Sequence, residues 1–245
     1  GTADGAGNLI SGHTGLPGIL IKDGSKQMTI QGNKIGTGPD GQSALGNEVG
    51  VRVTGGDVTD ITIGGTADGA GNLISGNSDD GIEIIGSDGN TVQGNDIGLS
   101  ANSEPLANGA AGISVQNASD NTIGGTTDGA GNAIAHNSTD GVVVQNSNSV
   151  GTAVRGNRTF QNSDLGIDLA ADGPTSNDDG DGDDGTNRLQ NFPVIEGTDY
   201  DPQQNDVTVE FRVPSDPDAS GSGASNYGSD GLDVDVYRID ADEEE

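Results

Sequence analysis

Short apolar segments recur along the first 170 residues of the chain. Six of them begin with glycine and continue with alternating apolar residues, and they start at Gly18, Gly50, Gly81, Gly112, Gly141 and Gly166. Their starting positions are 32, 31, 31, 29 and 25 residues apart. Alternation of apolar and polar residues predicts β-strands, and the intervening Gly, Asn, Asp and Ser residues are typical of turns. None of the segments is long enough to predict a helix.

Each unit contains two further apolar segments. The second strand ends in MTIQGN, ITIGGT, NTVQGN, NTIGGT and TAVRGN, and the third is centred on Ile35, Ile74, Ile97, Ile134 and Phe160, with Ile10 left from an earlier unit. A longer repeat is superimposed, since GTADGAGNLISG occurs identically at Gly1 and Gly65 and as GTTDGAGNAIAH at Gly125. Repeats with periods of roughly 20 to 50 residues predict a solenoid.

If each unit is one coil of three strands, equivalent residues of successive coils stack about 4.8 Å apart. The inward side chains then form three columns, which are Ile19, Val51, Ile82, Ile113, Val142 and Ile167; Ile21, Val53, Ile84, Val115, Val144 and Leu169; and Ile30, Ile63, Val92, Ile123 and Val154. A column of glycines, Gly32, Gly65, Gly94, Gly125 and Gly156, fits bends with positive φ. The Asn or Thr that follows each glycine is predicted to hydrogen-bond its stacked neighbour.

The sequence therefore predicts an all-β protein in three parts. Residues 1–170 form a right-handed parallel β-helix of about six coils, each with three strands. Residues 171–206 form an acidic, Gly- and Asp-rich linker or cap. Residues 207–245 contain two alternating segments, 207–213 and 232–239, which predict a β-hairpin or a partial β-sandwich before an acidic tail.

The repeated strings NTIGG, GAGNLISGN and DGI resemble the right-handed parallel β-helix repeats of large bacterial and haloarchaeal surface proteins. These repeats are broadly similar to the pectate-lyase-like superfamily, and the resemblance covers residues 1–170. The strings GIDLAADGPTSNDD and RLQNFPVIE resemble the stretch that leads from such a helix into a β-sandwich module. The family includes lyases, hydrolases and adhesins, so the resemblance implies an architecture and no single activity.

The composition indicates how thick the hydrophobic core of this fold can be. Hydrophobic residues make up 29 % of the chain and aromatic residues 2 %, with 44 Gly and no Trp. Such values are common in disordered chains, but disorder does not predict regularly spaced Ile and Val. The core is therefore expected to be thin. The absence of Cys excludes disulfides and thiol-ligated metals.

The charge excludes several partners. Asp and Glu number 39 against 9 Lys and Arg, for a formal net charge of -30, which argues against binding to nucleic acids or anionic membrane surfaces. No apolar run reaches the ~20 residues of a membrane span. Because molar salt shortens the Debye length to roughly 3 Å, this charge predicts a halophilic source. The alternative is an acidic, calcium-loaded surface protein from ordinary seawater or soil.

A calcium loop is the strongest candidate for a site. The segment NDDGDGDD supplies oxygen ligands at alternate positions, and we predict that Asn177, Asp179, Asp181, Asp183 and Asp184 bind calcium. The twelfth position is Arg188 where an EF-hand has Glu, so the affinity is expected to be weak, with a Kd of ~10⁻⁴ to 10⁻³ M. The alternative interpretation is a plain acidic linker.

Other candidates lie on the outside of the predicted coils. The outward positions of the glycine-led strands are Leu20, Arg52, Glu83, Ser114, Val143 and Asp168, which predicts an exposed ion pair between Arg52 and Glu83. Glu83 and Asp168 are expected about 14 Å apart, too far for a glycosidase pair. Acidic turn residues line one edge and either collect cations or form a solvated halophilic surface, and these are Asp79, Asp80, Asp140 and Asp164.

Two further residue types are candidate sites. Sequons at Asn117, Asn137 and Asn157 permit N-glycosylation if the chain is exported. His13 and His136 are expected at equivalent positions in a column of Asn, where a turn hydrogen bond is favoured over a metal ligand or a base.

These observations favour an extracellular or cell-surface structural or adhesive solenoid, adapted to high salt, and such a module predicts no cleft. Its expected partners are other copies of the chain or neighbouring surface domains, end to end, because Gly1 begins in the middle of a unit. The alternatives are a protein that binds or degrades polysaccharide and a viral receptor-binding fibre. No catalytic constellation stands out, which weighs against an enzyme.

Overall fold

The computed structural model describes residues 1–3, 6–177, 185–190, 192–201, 203 and 206–212. The chain divides into two compact units. The first comprises Gly1–Ser176 and Asp183–Gln190, and the second comprises Asn177–Gly182 and Asn191–Glu245.

The first unit is built from seventeen short strands. In chain order they are β1 (Leu9–Ile10), β2 (Ile19–Ile21), β3 (Thr29–Ile30), β4 (Lys34–Ile35), β5 (Val51–Thr54), β6 (Thr62–Gly64), β7 (Leu73–Ile74), β8 (Ile82–Ile85), β9 (Thr91–Gln93), β10 (Asp96–Ile97), β11 (Ile113–Gln116), β12 (Thr122–Gly124), β13 (Ala133–Ala135), β14 (Val142–Gln145), β15 (Ala153–Arg155), β16 (Arg158–Phe160) and β17 (Ile167–Leu169). Every third strand joins the same parallel sheet. The first sheet runs from β1 to β16, the second from β2 to β17 and the third from β3 to β15.

The register of these sheets confirms the predicted columns, although Ile167, at the end of one column, is 45 % exposed. In the second sheet Val51 pairs with Ile82, Ile82 with Ile113 and Ile113 with Val142. In the third sheet Ile63 pairs with Val92 and Ile123 follows in line. Successive coils thus present identical positions to each other, as a parallel β-helix requires.

The core consists of these aligned side chains. Ile and Val from all three sheets are fully buried, among them Ile35, Ile63, Ile74, Ile82, Ile84, Ile97, Ile113, Ile123 and Ile134, each 0 % exposed. Burying one such side chain stabilises the fold by about 1.5–3 kcal/mol. A narrow cross-section lets each coil contribute only a few such residues, which explains the low apolar content.

Asparagines, most of them buried, form a hydrogen-bonded ladder beside the first sheet. Each side chain donates from Nδ2 to Oδ1 of the next one, at 2.8–2.9 Å, in the order Asn8, Asn33, Asn72, Asn95, Asn132 and Asn157. The prediction placed Thr66 and Thr126 in this column, and the structure places Asn72 and Asn132 there instead. The extra residues of the GGTADGAGN segments form a loop, and the Asn after that loop returns to the stacking position.

A second ladder runs past the bend before the second sheet. It consists of His13, Asn47, Asn77, Asn108, Asn137 and Asn162, with links of 2.9–3.0 Å. His13 thus occupies an Asn position, as expected. His136 does not, because it lies one residue before Asn137, at a φ of 58°, where Gly76 stands two coils earlier. Its ring contacts Phe160 edge-on, with centroids 5.9 Å apart.

Phe160 was predicted to fill the third-strand column. The register places Thr159 opposite Ile134 instead, and Phe160 pairs with Ala135. Its ring also lies under the Arg158 guanidinium, 5.4 Å from the centroid. Phe160 therefore covers the side of the last coil rather than its core.

Part of the predicted linker caps the last coil of the first unit. A 3-10 helix spans Thr186–Leu189. The side chain of Asn187 accepts from the backbone N–H of Thr152 at 2.9 Å and donates to its carbonyl at 3.0 Å. This pair satisfies backbone groups that a further coil would otherwise engage.

The second unit contains an antiparallel hairpin of β18 (Val194–Asp201) and β19 (Asp206–Arg212). The sequence predicts a hairpin here but pairs 207–213 with 232–239 and leaves 194–201 in the linker. The structure pairs β19 with the nearer segment, because a loop of four residues is cheaper to close than one of 18. Residues 232–239 lie outside the described part of the chain.

Candidate functional site

The second sheet turns one set of side chains away from the core. Because side chains alternate along a strand, Arg52, Glu83, Ser114, Val143 and Asp168 line up on its outer face, in register. Outer positions of a sheet without a covering layer are normally solvated. Here Glu83 is 8 %, Ser114 2 %, Val143 5 % and Asp168 5 % exposed. The outer face of the sheet is therefore shielded from solvent at these four positions.

Ser114, Val143 and Asp168 lie in an open groove of about 710 Å³, and the surrounding walls shield them from solvent. Its floor is formed by Ser114, Val143, Gln145 and Asp168. One wall consists of the turns that precede β8, β11, β14 and β17, with Asp79, Asp80, Ala110, Ala111, Thr139, Asp140, Asp164 and Leu165. Ala171, Gly173 and Pro174 close one end. All of these residues belong to the first unit.

The turn carboxylates are held by the next coil. Asp80 Oδ1 accepts the backbone N–H of Ala111 at 2.9 Å, and Asp140 Oδ1 accepts that of Leu165 at 3.0 Å. Since Asp80 and Asp140 occupy the same position of two coils, the contact repeats along the wall. It fixes both side chains against the groove.

Burial changes the protonation of these groups. Desolvation raises the pKa of Asp80 to about 7, the negative charge of Asp79 adds to the rise, and the Ala111 N–H opposes it. Desolvation also raises the pKa of Asp140 above its usual value, with further contributions from Asp168 and Asp164. The groove therefore holds carboxyl groups that keep their protons to higher pH than exposed ones.

Asp168 lies at the groove floor with one unpaired oxygen. Its Oδ2 accepts the backbone N–H of Gly173 at 3.1 Å. Its Oδ1 is buried and has no hydrogen-bond partner. Ala170 and Ala171 follow with φ of 90° and 62°, a left-handed bend that turns the chain back toward Asp168. A buried acceptor without a donor costs about 1–3 kcal/mol, so a ligand donor here would be stabilising.

Arg52 and Glu83 lie next to the groove rather than in it. Arg52 Nε donates to Glu83, and Glu48 lies 3.9 Å from the same guanidinium. Gln116 Nε2 donates to Glu83 Oε1 at 3.4 Å. The pair is less exposed than predicted, with Glu83 nearly buried. Its charges are matched internally.

The three sequons differ in accessibility. Asn117 is exposed. Asn137 is 0 % exposed, and its Nδ2 donates to Ala135 and Asn162. Asn157 Nδ2 likewise donates to the carbonyls of Ile123 and Arg155. A glycan on Asn137 or Asn157 would use a nitrogen that the ladders require, so Asn117 is the position best suited to carry one.

The predicted calcium loop lies mostly outside the described residues. These exclude Asp179, Asp181, Asp183 and Asp184, so calcium binding there stays a prediction. Asn177 is described, and its amide exchanges two hydrogen bonds with the backbone of Phe192, at 2.9 and 2.8 Å. Among the described residues, no three His, Cys, Asp or Glu side chains converge to hold a metal ion.

Comparison with known protein families now decides the architecture. The family described as a right handed beta helix region matches residues 6–178. The chain belongs to this right-handed β-helix family. No curated protein and no solved structure matches this chain. Within the described part of this β-helix protein, no helix has the length and hydrophobicity that crossing a membrane requires. Membership of this family determines the fold but not the activity, which depends on the residues of the groove.

The sequence predicts only part of this groove. It places the turn aspartates along one acidic edge, but it does not predict the burial of Ser114, Val143 and Asp168. The signal available in the sequence was the polar outer column itself, where Ser114 and Asp168 replace the long, exposed side chains of earlier coils.

Proposed function

We propose that this β-helix is an extracellular adhesive module, adapted to high salt, whose groove binds a polysaccharide. The observation that carries the proposal is the burial of the outward residues Ser114, Val143 and Asp168 of the second sheet, which are at most 5 % exposed. The sequence predicts a structural or adhesive module without a cleft, and the groove contradicts that expectation. A purely structural spacer has no need for such a groove. An adhesive module needs a surface of this kind to hold its ligand.

The shape of the groove favours an extended ligand. The wall runs over four coils, from Asp80 to Leu165, a length of about 14 Å at the spacing of adjacent strands. The groove is open to solvent, so a polymer can lie along it and leave at the end opposite Ala171, Gly173 and Pro174. Thr139 and Gln145 offer hydroxyl and amide groups that suit sugar hydroxyls.

The scaffold is suited to display such a site. The three sheets are continuous and two Asn ladders tie the coils together. The net charge of -30 keeps a surface protein soluble at molar salt, where self-repulsion is screened. Both properties support a rigid module that works outside the cell.

The test is retention of the protein on a panel of insoluble polysaccharides at high salt. Thr139→Trp would fill the groove from its wall, and Thr91→Trp places the same side chain on the outer side of the third sheet. We expect the wild type and T91W to be retained by the same polysaccharide and T139W to be released. Retention of T139W at the wild-type level would contradict the proposal, provided that far-UV CD spectra of all three coincide.

Hydrolysis of the bound polymer is a second candidate, favoured by the raised pKa of Asp80. A carboxyl group that stays protonated near pH 7 can act as a general acid. Asp140 lies two coils away, about 10 Å by strand spacing, close to the ~6.5–9.5 Å between the carboxyls of inverting glycosidases. Release of reducing ends by the wild type, abolished in Asp80→Asn, would support hydrolysis. No release from any retained polysaccharide would exclude it.

A further inference from the structure

We infer that the polymer bound in the groove is cationic, a polysaccharide that carries free amino groups. This inference rests on the proposed function and names its ligand class. It comes from the charge of the groove, from an unpaired buried oxygen and from the spacing of the carboxylates.

The charge of the groove is of one sign. Five aspartates line it, and none of the described residues that line it is Lys or Arg. Asp164 and Asp168 raise the pKa of Asp140, so these carboxyl groups repel one another when ionised. An anionic polysaccharide would add to this repulsion. A chain with ammonium groups would relieve it.

Asp168 supplies an independent indication of a ligand. Its side chain is 5 % exposed, lines the groove floor, and leaves Oδ1 without a hydrogen-bond partner. The Ser114 hydroxyl does not satisfy this oxygen, since Ser114 stands two coils from Asp168 in the register, and its Oγ accepts from Gln116 Nε2 at 3.2 Å and from Gln145 Nε2 at 3.4 Å. An N–H donor with a positive charge is the strongest partner for a buried carboxylate.

The spacing of the carboxylates argues against a single metal ion. Asp80 and Asp140 occupy equivalent positions two coils apart, which places their backbones about 10 Å from each other. Calcium binds its oxygen ligands at ~2.3–2.6 Å from the ion. Among the described residues, no three acidic side chains converge on one point in this way. Separate carboxylates along a wall can instead pair one by one with ammonium groups along a chain.

The floor of the groove favours a sugar over a basic peptide. The groove lies on the face of the second sheet, where β8, β11 and β14 are each paired on both sides, so a peptide lying on these strands cannot add to them as a further strand. Recognition must come from side chains alone. Sugar hydroxyls match Thr139 and Gln145, while amino groups match the aspartates.

Two oligosaccharides of equal length provide the test. Glucosamine oligomers carry ammonium groups, and N-acetylglucosamine oligomers share their ring and linkage but are neutral. We expect calorimetry to show at least about tenfold tighter binding of the amino form, at the lowest salt at which the protein remains folded. The affinity is expected to fall as salt is raised, since the ion pairs are screened.

Asp164→Asn removes one groove charge at an exposed position, so folding is not expected to suffer. Asp57→Asn makes the same change at an exposed position outside the groove. We expect D164N to weaken binding of the amino oligomer by roughly three- to tenfold and D57N to leave it unchanged.

Each remaining outcome identifies what has failed. Equal affinity for the two oligomers, or preference for a uronate oligomer, would overturn the cationic ligand and leave the proposed function standing. Tight binding of poly-lysine, without binding of amino sugars, would overturn the assignment to a polysaccharide. If no oligosaccharide binds and T139W behaves as the wild type, the proposed function fails as well.

Discussion

Replacing Asn95 by Ala tests whether the Asn ladders hold the coils together. The Asn95 side chain accepts from the N–H and Nδ2 of Asn72 and donates to Ile63, Gln93 and Asn132. The substitution therefore removes five hydrogen bonds at a residue that is 1 % exposed. At about 1 kcal/mol each, the free energy of unfolding should fall by roughly 3 to 5 kcal/mol.

Two other asparagines serve as controls for this change. Asn8 begins the same ladder, is exposed, and its side chain donates one bond, to Asn33. Asn102 is exposed and bonds only through its backbone N–H. We expect Asn8→Ala to cost about 1 kcal/mol and Asn102→Ala less than about 0.5 kcal/mol.

Urea denaturation followed by far-UV CD, at constant salt, measures these differences. The m-value must stay the same in all variants, because solenoids can unfold in parts and the comparison needs one common transition. If N95A costs no more than N8A, the ladder contributes little. The columns of Ile and Val would then account for the cohesion between coils.

Three further predictions concern the core, the groove and the acidic loop. Ile113→Ala should lower the free energy of unfolding by about 2 to 5 kcal/mol in the same denaturation experiment, and Ile195→Ala, at a side chain 65 % exposed, by less than about 1 kcal/mol. Asp80 has a pKa raised from 3.8 to about 7, so its contribution to stability is present below pH 3.8 and is lost as the pH rises toward 7. Melting temperatures across this range should fall less steeply for Asp80→Asn than for the wild type or Asp57→Asn, and equal slopes would refute the reasoning. Calorimetry should detect calcium with a Kd of ~10⁻⁴ to 10⁻³ M and lose it in Asp181→Asn; heat that is unchanged in D181N would place calcium elsewhere.

The core was predictable because a coil repeats its own pattern. Val51, Ile82 and Ile113 stand at equal intervals after glycine, and parallel strands in register must stack such positions. The hairpin partner of β19 was not predictable in the same way. Segment 194–201 reads VIEGTDYD, in which two adjacent apolar residues precede a mainly polar run, so apolar alternation does not mark it as a strand.

The sequence by itself determined the period of the coils, the inward columns and the acidic edge, because these follow from the spacing of residues along one chain. Only the tertiary structure decided that Asn72 joins the ladder and that Ser114 and Asp168 are buried. Both depend on how turns of unequal length fold over neighbouring coils. Burial of an outward side chain is a property of the surrounding turns, and periodicity along a strand carries no information about them.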